Sequence, residues 1–324
     1  MEQKDSISKG RQDGEPDLLS VVVPCRDEAE SVRLFYRALI DALEPVENLN
    51  VEIIFVEDGS KDSTLDELRR LRSEDGRVKY LSLSRNFGKE AAMLAGFENS
   101  RGNFICSMDA DLQDPPQLLP QMLEILRRED FDSVAAKKSS RKDESALRSF
   151  MASAFYKIIN ALSSVKFRDG ARDFRLMKRR MLDELLRLRE SNRFSKGLFE
   201  WVGFKTRWLE FEPAPRAAGT TKWSSAGLVK YSIEAITSFS TFPLELVSIL
   251  GLAMCALSTF AIAFLSVRQL IYHNSAFGWT SMICIIFFLS GVQLLCIGIV
   301  GHYLSKIYIE SKGRPPYVIA ERGM

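Results

Sequence analysis

The chain has 324 residues, with 44 lysines and arginines against 42 aspartates and glutamates, so its net charge is only +2. That balance gives no basic face for nucleic acid, and the length holds a full-sized catalytic domain with a smaller part beside it. Five cysteines without a C-x-x-C pair make neither a disulfide framework nor a zinc site, and they suit a reducing compartment.

The mean hydropathy of −0.06 conceals a split between a charged, alternating stretch up to about Ser240 and a strongly apolar remainder. Met1 to Asp17 is polar, has no apolar signal core and is expected to be a short disordered lead. Leu18 to Val23 is an apolar run stopped by Pro24, which predicts a buried strand, and Glu28 to Leu43 follows with helical periodicity. Val51 to Val56 predicts a second strand ending in Glu57-Asp58-Gly59-Ser60, after which Ser63 is placed to cap a helix running to about Ser73. Val78 to Leu83 is a third strand, Lys89 to Asn99 a helix, and Phe104 to Met108 a fourth strand leading into Asp109. This alternation predicts an α/β fold with a doubly wound, mostly parallel sheet.

Further along, Leu147, Met151, Phe155, Ile158 and Leu162 recur at helical spacing, which fits either a headgroup-plane helix or one packed on the sheet. Val229, Ile233, Ile236 and Phe239 do the same over 225–241, with Lys230 and Glu234 opposite, and there an amphipathic juxtamembrane helix is expected. Phe242 to Val267 and Trp279 to Leu304 are almost uncharged. At about 1.5 Å per residue, runs of roughly 25 residues span a hydrocarbon core of about 30 Å. Joined by the short link Arg268 to Gly278, they predict a transmembrane hairpin followed by a tail over 305–324. Lys222 and Lys230 precede the hairpin and Lys306, Lys312, Arg314 and Arg322 follow it, an asymmetry that puts both ends and the catalytic domain (18–224) in the cytoplasm, as a multi-pass protein of the inner membrane.

Open α/β sheets bind ligands beyond the carboxyl ends of their strands. Those ends carry Asp27 and Glu28, then Glu57 and Asp58, then Arg85, then Asp109 and Asp111. No GxGxxG or P-loop follows the first strand, which removes the main support for a dinucleotide or P-loop enzyme. Asp109 and Asp111 are hard oxygen ligands two residues apart and suit Mg²⁺ or Mn²⁺ held against a diphosphate.

Val23-Pro24 with Asp27-Glu28, Glu57-Asp58-Gly59-Ser60, Ser84-Arg85-Asn86-Phe87-Gly88-Lys89 and Asp109-Ala110-Asp111-Leu112-Gln113-Asp114-Pro115-Pro116 together resemble family 2 glycosyltransferases of the GT-A (Rossmann-like) fold. The likeness is to the polyprenyl-phosphate branch, which includes bactoprenol glucosyltransferases and dolichol-phosphate mannose synthases. Arg216-x-x-Gly219-Thr220-Thr221-Lys222-Trp223-Ser224 is similar to that branch's R-x-x-G-x-S-K-[WY]-S segment. The resemblance implies that Pro24, Asp27, Glu28 and Asp58 line the nucleobase pocket and that Arg85 and Lys89 flank the nucleotide. It implies that Asp109 touches the ribose or sugar and, with Asp111 and Gln113, serves the metal. It further implies that Asp173, in Gly170-Ala171-Arg172-Asp173, stands beside the acceptor, and that Arg193, Arg216 and Lys222 meet phosphates. Asp27 replaces the family's usual Asn, Glu57 its common Asp, and Thr221 its Ser, substitutions that preserve polarity and approximate size.

The expected reaction is inverting transfer of a hexose from a nucleotide sugar, UDP-glucose ahead of UDP-GlcNAc and GDP-mannose, to a polyprenyl phosphate such as undecaprenyl phosphate. A homotetramer would fit the bacterial relatives. The acceptor phosphate, with a second pKa of about 6, arrives already charged, which weakens the case for Asp173 as an obligatory base. Two alternatives stand beside this one. A processive polysaccharide synthase would carry a Q-x-x-R-W segment and more spans, which are absent; a catalytically dead tethered binder would have no use for intact Asp109, Asp111 and Lys222.

Overall fold

The computed structural model describes residues 16–138, 156–157, 159–163, 165–168, 170–212, 236–272 and 278–324. Two compact units emerge: one holds the sheet and its helices together with Pro315–Met324, and the other is built mainly of Ser225–Arg314.

In the first unit the strands are β1 (Asp17–Cys25), β2 (Leu49–Glu57), β3 (Val78–Leu83), β4 (Phe104–Ser107), β5 (Ser133–Lys138), β6 (Ala171–Lys178), β7 (Thr206–Phe211) and β8 (Ile319–Gly323). They form one eight-stranded sheet in the order β7-β5-β6-β4-β1-β2-β3-β8. β1 pairs in parallel with β2 and β4, β2 with β3, and β5 with β7, while β6 and β8 run antiparallel to their neighbours. β1 lies between two parallel partners, and its Val21, Val22 and Val23 are wholly buried, as a strand covered on both faces requires. The doubly wound, mostly parallel sheet expected from the sequence is present.

Helices α1 (Ala29–Leu43), α2 (Thr64–Glu74), α3 (Lys89–Asn99), α4 (Leu119–Arg128), α5 (Arg179–Arg187) and α6 (Ser195–Trp201) complete the unit. Phe35 and Leu39 of α1 join Phe55, Leu68 and Leu71 in the main core, and the Phe35 and Phe55 rings meet edge to face at 6.2 Å. α3 lies so close to the sheet that a Cβ on Gly96 would sit 2.2 Å from Val22 Cγ1, which fixes how the start of α3 meets the strand ends.

Four details differ from expectation. Asp17 does not belong to a lead; it opens β1, and its buried carboxylate accepts from Arg127 Nε at 2.9 Å. Residues 1–15 lie outside the described residues. Ser63 occupies the N-cap position of α2 without a side-chain capping bond, because Asp62 Oδ1 takes the Thr64 N–H at 3.0 Å instead. The closing residues are not all tail: Ile319–Gly323 is the edge strand β8. The link between the apolar runs is also shorter than read, because helix α7 (Phe242–Tyr272) continues past Arg268.

α7 and α8 (Trp279–Ser311) make up most of the second unit. Each contains a stretch long and apolar enough to cross a membrane, Phe242–Ala261 and Ile285–Ser311, and neither stretch is buried by protein. Leu252, Phe260, Phe287 and Leu294 are exposed along them. Apolar surface of that extent needs a lipid or protein cover, and the chain is membrane-associated. At one end of the pair the Tyr303 hydroxyl donates to the Ser240 carbonyl at 2.8 Å and Lys306 Nζ to Thr237 Oγ1 at 2.6 Å. The juxtamembrane helix expected over 225–241 is described only from Ile236, and most of the 146–165 segment lies outside the described residues.

Candidate active site

The carboxyl ends of β1 and β2 are stitched together by their own polar residues. The Asp58 N–H donates to the Cys25 carbonyl at 3.0 Å, extending the ladder beyond the strands. The Asp27 N–H donates to Ser60 Oγ at 3.0 Å, and Asp27 Oδ1 accepts from the Lys61 N–H at 2.7 Å. The Glu28 N–H is taken by Thr64 Oγ1 at 2.9 Å, and Glu28 Oε2 accepts the Ser31 hydroxyl at 2.5 Å. Pro24 ends the run, half-buried, beside these loops.

Asp58 is buried, and both of its oxygens are used: Oδ1 accepts from the Phe87 N–H at 2.6 Å and Oδ2 from the Gly88 N–H at 2.9 Å. It therefore clamps the loop after β3. Beside it Gly59 has φ +63°, and a Cβ there would lie 2.4 Å from the Asn86 backbone nitrogen. Gly59→Ala would force both a left-handed backbone and a backbone clash. The expected loss is about 2–4 kcal/mol, read as a lower melting temperature of the detergent-solubilised protein. Arg85, on this loop, is exposed and stacks over the Phe87 ring at 4.0 Å.

Lys89, the first residue of α3, is the hub of the site. Its ammonium lies 2.7 Å from Asp109 Oδ1 and 2.5 Å from Asp173 Oδ2. Desolvation opposes its charge, but the two carboxylates more than reverse this and raise its pKa above the usual lysine range. Asp173 enters from β6, which runs antiparallel beside β4 with Ser107 opposite Arg175, so the start of β6 reaches the end of β4. The Ser107 hydroxyl donates to the Asp173 carbonyl at 2.5 Å and ties the two strands at that point. Burial would raise the Asp173 carboxyl, yet Lys89, with Lys196 4.0 Å away, holds it well below the usual carboxylate range.

Asp109 and Asp111 flank the buried Ala110 in the turn after β4. Leu112 follows at φ +58°, a left-handed conformation that costs a bulky residue roughly 1–2 kcal/mol. The turn is held by the Gln113 N–H, which donates to Asp111 Oδ1 at 3.1 Å. Arg172 bolts it to β6, donating from Nε to Asp114 Oδ1 at 2.7 Å and approaching Gln113 Oε1 at 3.5 Å. Asp114 is fully buried, with Oδ2 lacking a partner; burial pushes its carboxyl up to about 6 against the pull of Arg172.

Among the described residues no group of three or more acidic, His or Cys side chains is arranged to hold a metal. Asp109, Asp111 and the Gln113 amide oxygen nevertheless fit Mg²⁺ or Mn²⁺, which takes one or two protein carboxylates and completes its shell with substrate phosphates and water. The charges agree: Glu90, Asp109, Asp111, Asp114 and Asp173 outnumber Lys89, Arg172 and Lys196 by two when all are ionised, an excess that a dication would balance.

The cluster thus gathers Lys89, Asp109 and Asp173 directly, with Asp111 and Gln113 on the adjoining turn. Arg193 makes its contacts elsewhere. It donates to the Leu188 carbonyl and to that of Leu185 at 3.4 Å, capping the end of α5. Arg216 and Lys222 lie outside the described residues. Sequence reading missed Arg172 and Lys196 as members of the site, and also Glu90, whose Oε2 takes the Ser195 N–H at 3.0 Å and ties α3 to α6. Arg172 had a signal in its place beside Asp173; Lys196 had none.

The mostly parallel sheet thus gathers an acidic pair and a shared ammonium at its carboxyl edge, in a chain with two exposed apolar helices. The sequence model of glycosyl transferase family 2 matches residues 20–186. The chain belongs to that family and has its GT-A fold. It is 42% identical over 304 residues to CsbB of Bacillus subtilis (strain 168), provisionally named a glycosyltransferase, covering 94% of this chain and 92% of that one. It is 40% identical to the bactoprenol glucosyl transferase of Shigella phage SfV, covering 93% and 97% of the two chains. The prophage bactoprenol glucosyl transferase homolog of Escherichia coli K12 is 38% identical, with 93% and 98% covered.

Proposed function

We propose that this enzyme transfers glucose from UDP-glucose to a polyprenyl phosphate, with inversion, at the cytoplasmic face of the membrane. The observation that carries the reading is the Lys89 ammonium shared by Asp109 and Asp173 at the sheet's carboxyl edge, in a chain about 40% identical along nearly its whole length to bactoprenol glucosyl transferases.

Pro24, Asp27, Glu28 and Arg85 form the wall against which the nucleotide lies, and Asp58 keeps that wall in shape through the Phe87 and Gly88 amides. Asp109, Asp111 and Gln113 would hold Mg²⁺ or Mn²⁺, which when bound would supply neutralisation of negative charge on the diphosphate. Lys89 adds a fixed positive charge to the same region, where preorganised charge counts most. A lipid phosphate oxygen attacks the anomeric carbon in line; the new C–O–P bond forms as the bond to UDP breaks, and UDP leaves with that electron pair. Arg216 and Lys222 are assigned to the acceptor phosphate by the family likeness. Asp173 orients Lys89 and the acceptor rather than taking a proton. The charge asymmetry around two exposed apolar helices supports a two-span anchor with the sheet unit in the cytoplasm.

The test is incubation of the purified protein with labelled UDP-glucose, Mg²⁺ and a short polyprenyl phosphate, with UDP-GlcNAc and GDP-mannose in parallel. Label extractable with the lipid from UDP-glucose supports the proposal. Label from another donor alone corrects the sugar, a long polymer favours the synthase alternative, and no transfer from any donor defeats the reading.

A further inference from the structure

We propose that the C-terminal strand is a positioning element for the nucleotide loop, so that residues beyond the second apolar helix set the affinity for the donor. The inference rests on the reading above. Only residues 312–318 separate the end of α8 from β8. β8 then pairs antiparallel with β3 up to Leu83 opposite Ile319, with a register shift between Ser82 and Leu83. The pairing runs one bond further, because the Ser84 N–H donates to the Val318 carbonyl at 2.9 Å. Ser84 is the first residue of the loop that carries Arg85, Phe87 and Gly88 and delivers Lys89 to Asp109 and Asp173.

Side chains continue the hold. Tyr317, Ile319 and Phe87 each pack against the cluster of Ile54, Val56, Leu81, Leu83, Ala92 and Ala95. The Phe87 ring that supports Arg85 thus rests on the same buried cluster as the C-terminal segment, while Asp58 grips the Phe87 amide. The strand is firmly seated: Glu321 accepts from Arg69 Nε at 3.0 Å, Arg69 Nη2 at 2.5 Å and Tyr80 Oη at 2.6 Å, and Arg72 Nη2 donates to the Met324 carbonyl at 2.8 Å. The Tyr317 hydroxyl donates to Glu98 on α3. An edge strand kept only to block aggregation would need neither the bond to Ser84 nor a shared seat with Phe87 on one buried cluster.

The experiment compares full-length wild type with Tyr317→Ala, Tyr317→Phe and Glu321→Gln in nanodiscs. For Tyr317→Ala the expected result is a KM for UDP-glucose raised about five- to tenfold with kcat within about twofold, matched by weaker UDP binding in titration. Tyr317→Phe keeps the packing and rescues most of the effect. Glu321→Gln loosens the anchor without touching the core, and a smaller KM rise in the same direction is expected; it keeps the test open if Tyr317→Ala does not fold. Hydrogen exchange at the Phe87 and Gly88 amides should quicken in the variants while exchange in β1 stays unchanged. A lower melting temperature with unchanged KM, UDP affinity and loop exchange would overturn the proposal and leave β8 as an edge cover. Wild type that turns over no UDP-glucose defeats the functional reading instead, and the exchange comparison, which needs no substrate, still decides the inference.

Discussion

Asp111→Asn is expected to lower kcat/KM for glucosyl transfer by roughly a thousandfold, the scale on which removal of an electrostatic stabiliser of a developing anion is felt. The substitution is nearly isosteric, and the amide oxygen can still accept the Gln113 N–H that shapes the turn, so Leu112 keeps its left-handed backbone and stability changes little. What disappears is one of the two negative charges offered to the cation. Asp111 is a cleaner choice than Asp109, because Asp109 also neutralises Lys89, and its loss would disturb the ammonium and Asp173 together. The accompanying measurement is Mn²⁺ binding followed by electron paramagnetic resonance, with and without UDP. Weakened Mn²⁺ binding at unchanged melting temperature is the expected pair of results. Retention of activity within about tenfold at saturating Mg²⁺ would count against the assignment of this carboxylate.

Much of this site was legible because the residues that build it sit at strand ends in one continuous half of the chain. Buried parallel strands read as apolar runs, and Val21–Val23, Ile53–Val56 and Ile105 announce themselves that way. The polar residues that follow each run must then share one edge of the sheet. The strands after Asp114 offered no such signal. β6 carries Arg172, Asp173 and Arg175 along eight residues, and Arg175 is buried only because Glu200, Ser133 and Thr206 receive its guanidinium. β8 is five residues with alternating half-exposure, and nothing local predicts that it returns to the edge of β3 from beyond α8.

Side-chain roles were less legible than positions. Asp58, expected at the nucleobase, also accepts from the Phe87 and Gly88 amides, and the cap expected of Ser63 is supplied by Asp62. Arg193 caps α5 because the Leu185 and Leu188 carbonyls are close to it in sequence and lack helical partners.

Asp173→Asn is expected to lower kcat by about a hundredfold while leaving the acidic limb of the pH–rate profile where wild type has it. Lys89 and Lys196 hold the Asp173 carboxyl well below the ordinary range even though burial pushes the other way, so it is ionised throughout any practical assay. A carboxylate so weakly basic is a poor proton acceptor, since a useful general base has a pKa near the working pH. Its service is to keep the Lys89 ammonium fixed at 2.5 Å, charged, and shared with Asp109. With asparagine there, Lys89 relaxes toward Asp109 alone and its charge is no longer aimed, which lowers the rate without removing an ionisation. The acidic limb then reports the acceptor phosphate, whose second pKa is about 6. A profile whose acidic limb vanishes in the variant, or turnover restored by raising the pH by several units, would show that Asp173 takes a proton after all. Lys89→Arg separates the two roles from the other side: a retained charge with a longer, planar head should recover little of the rate, because a fork cannot replace a point charge held between two carboxylates.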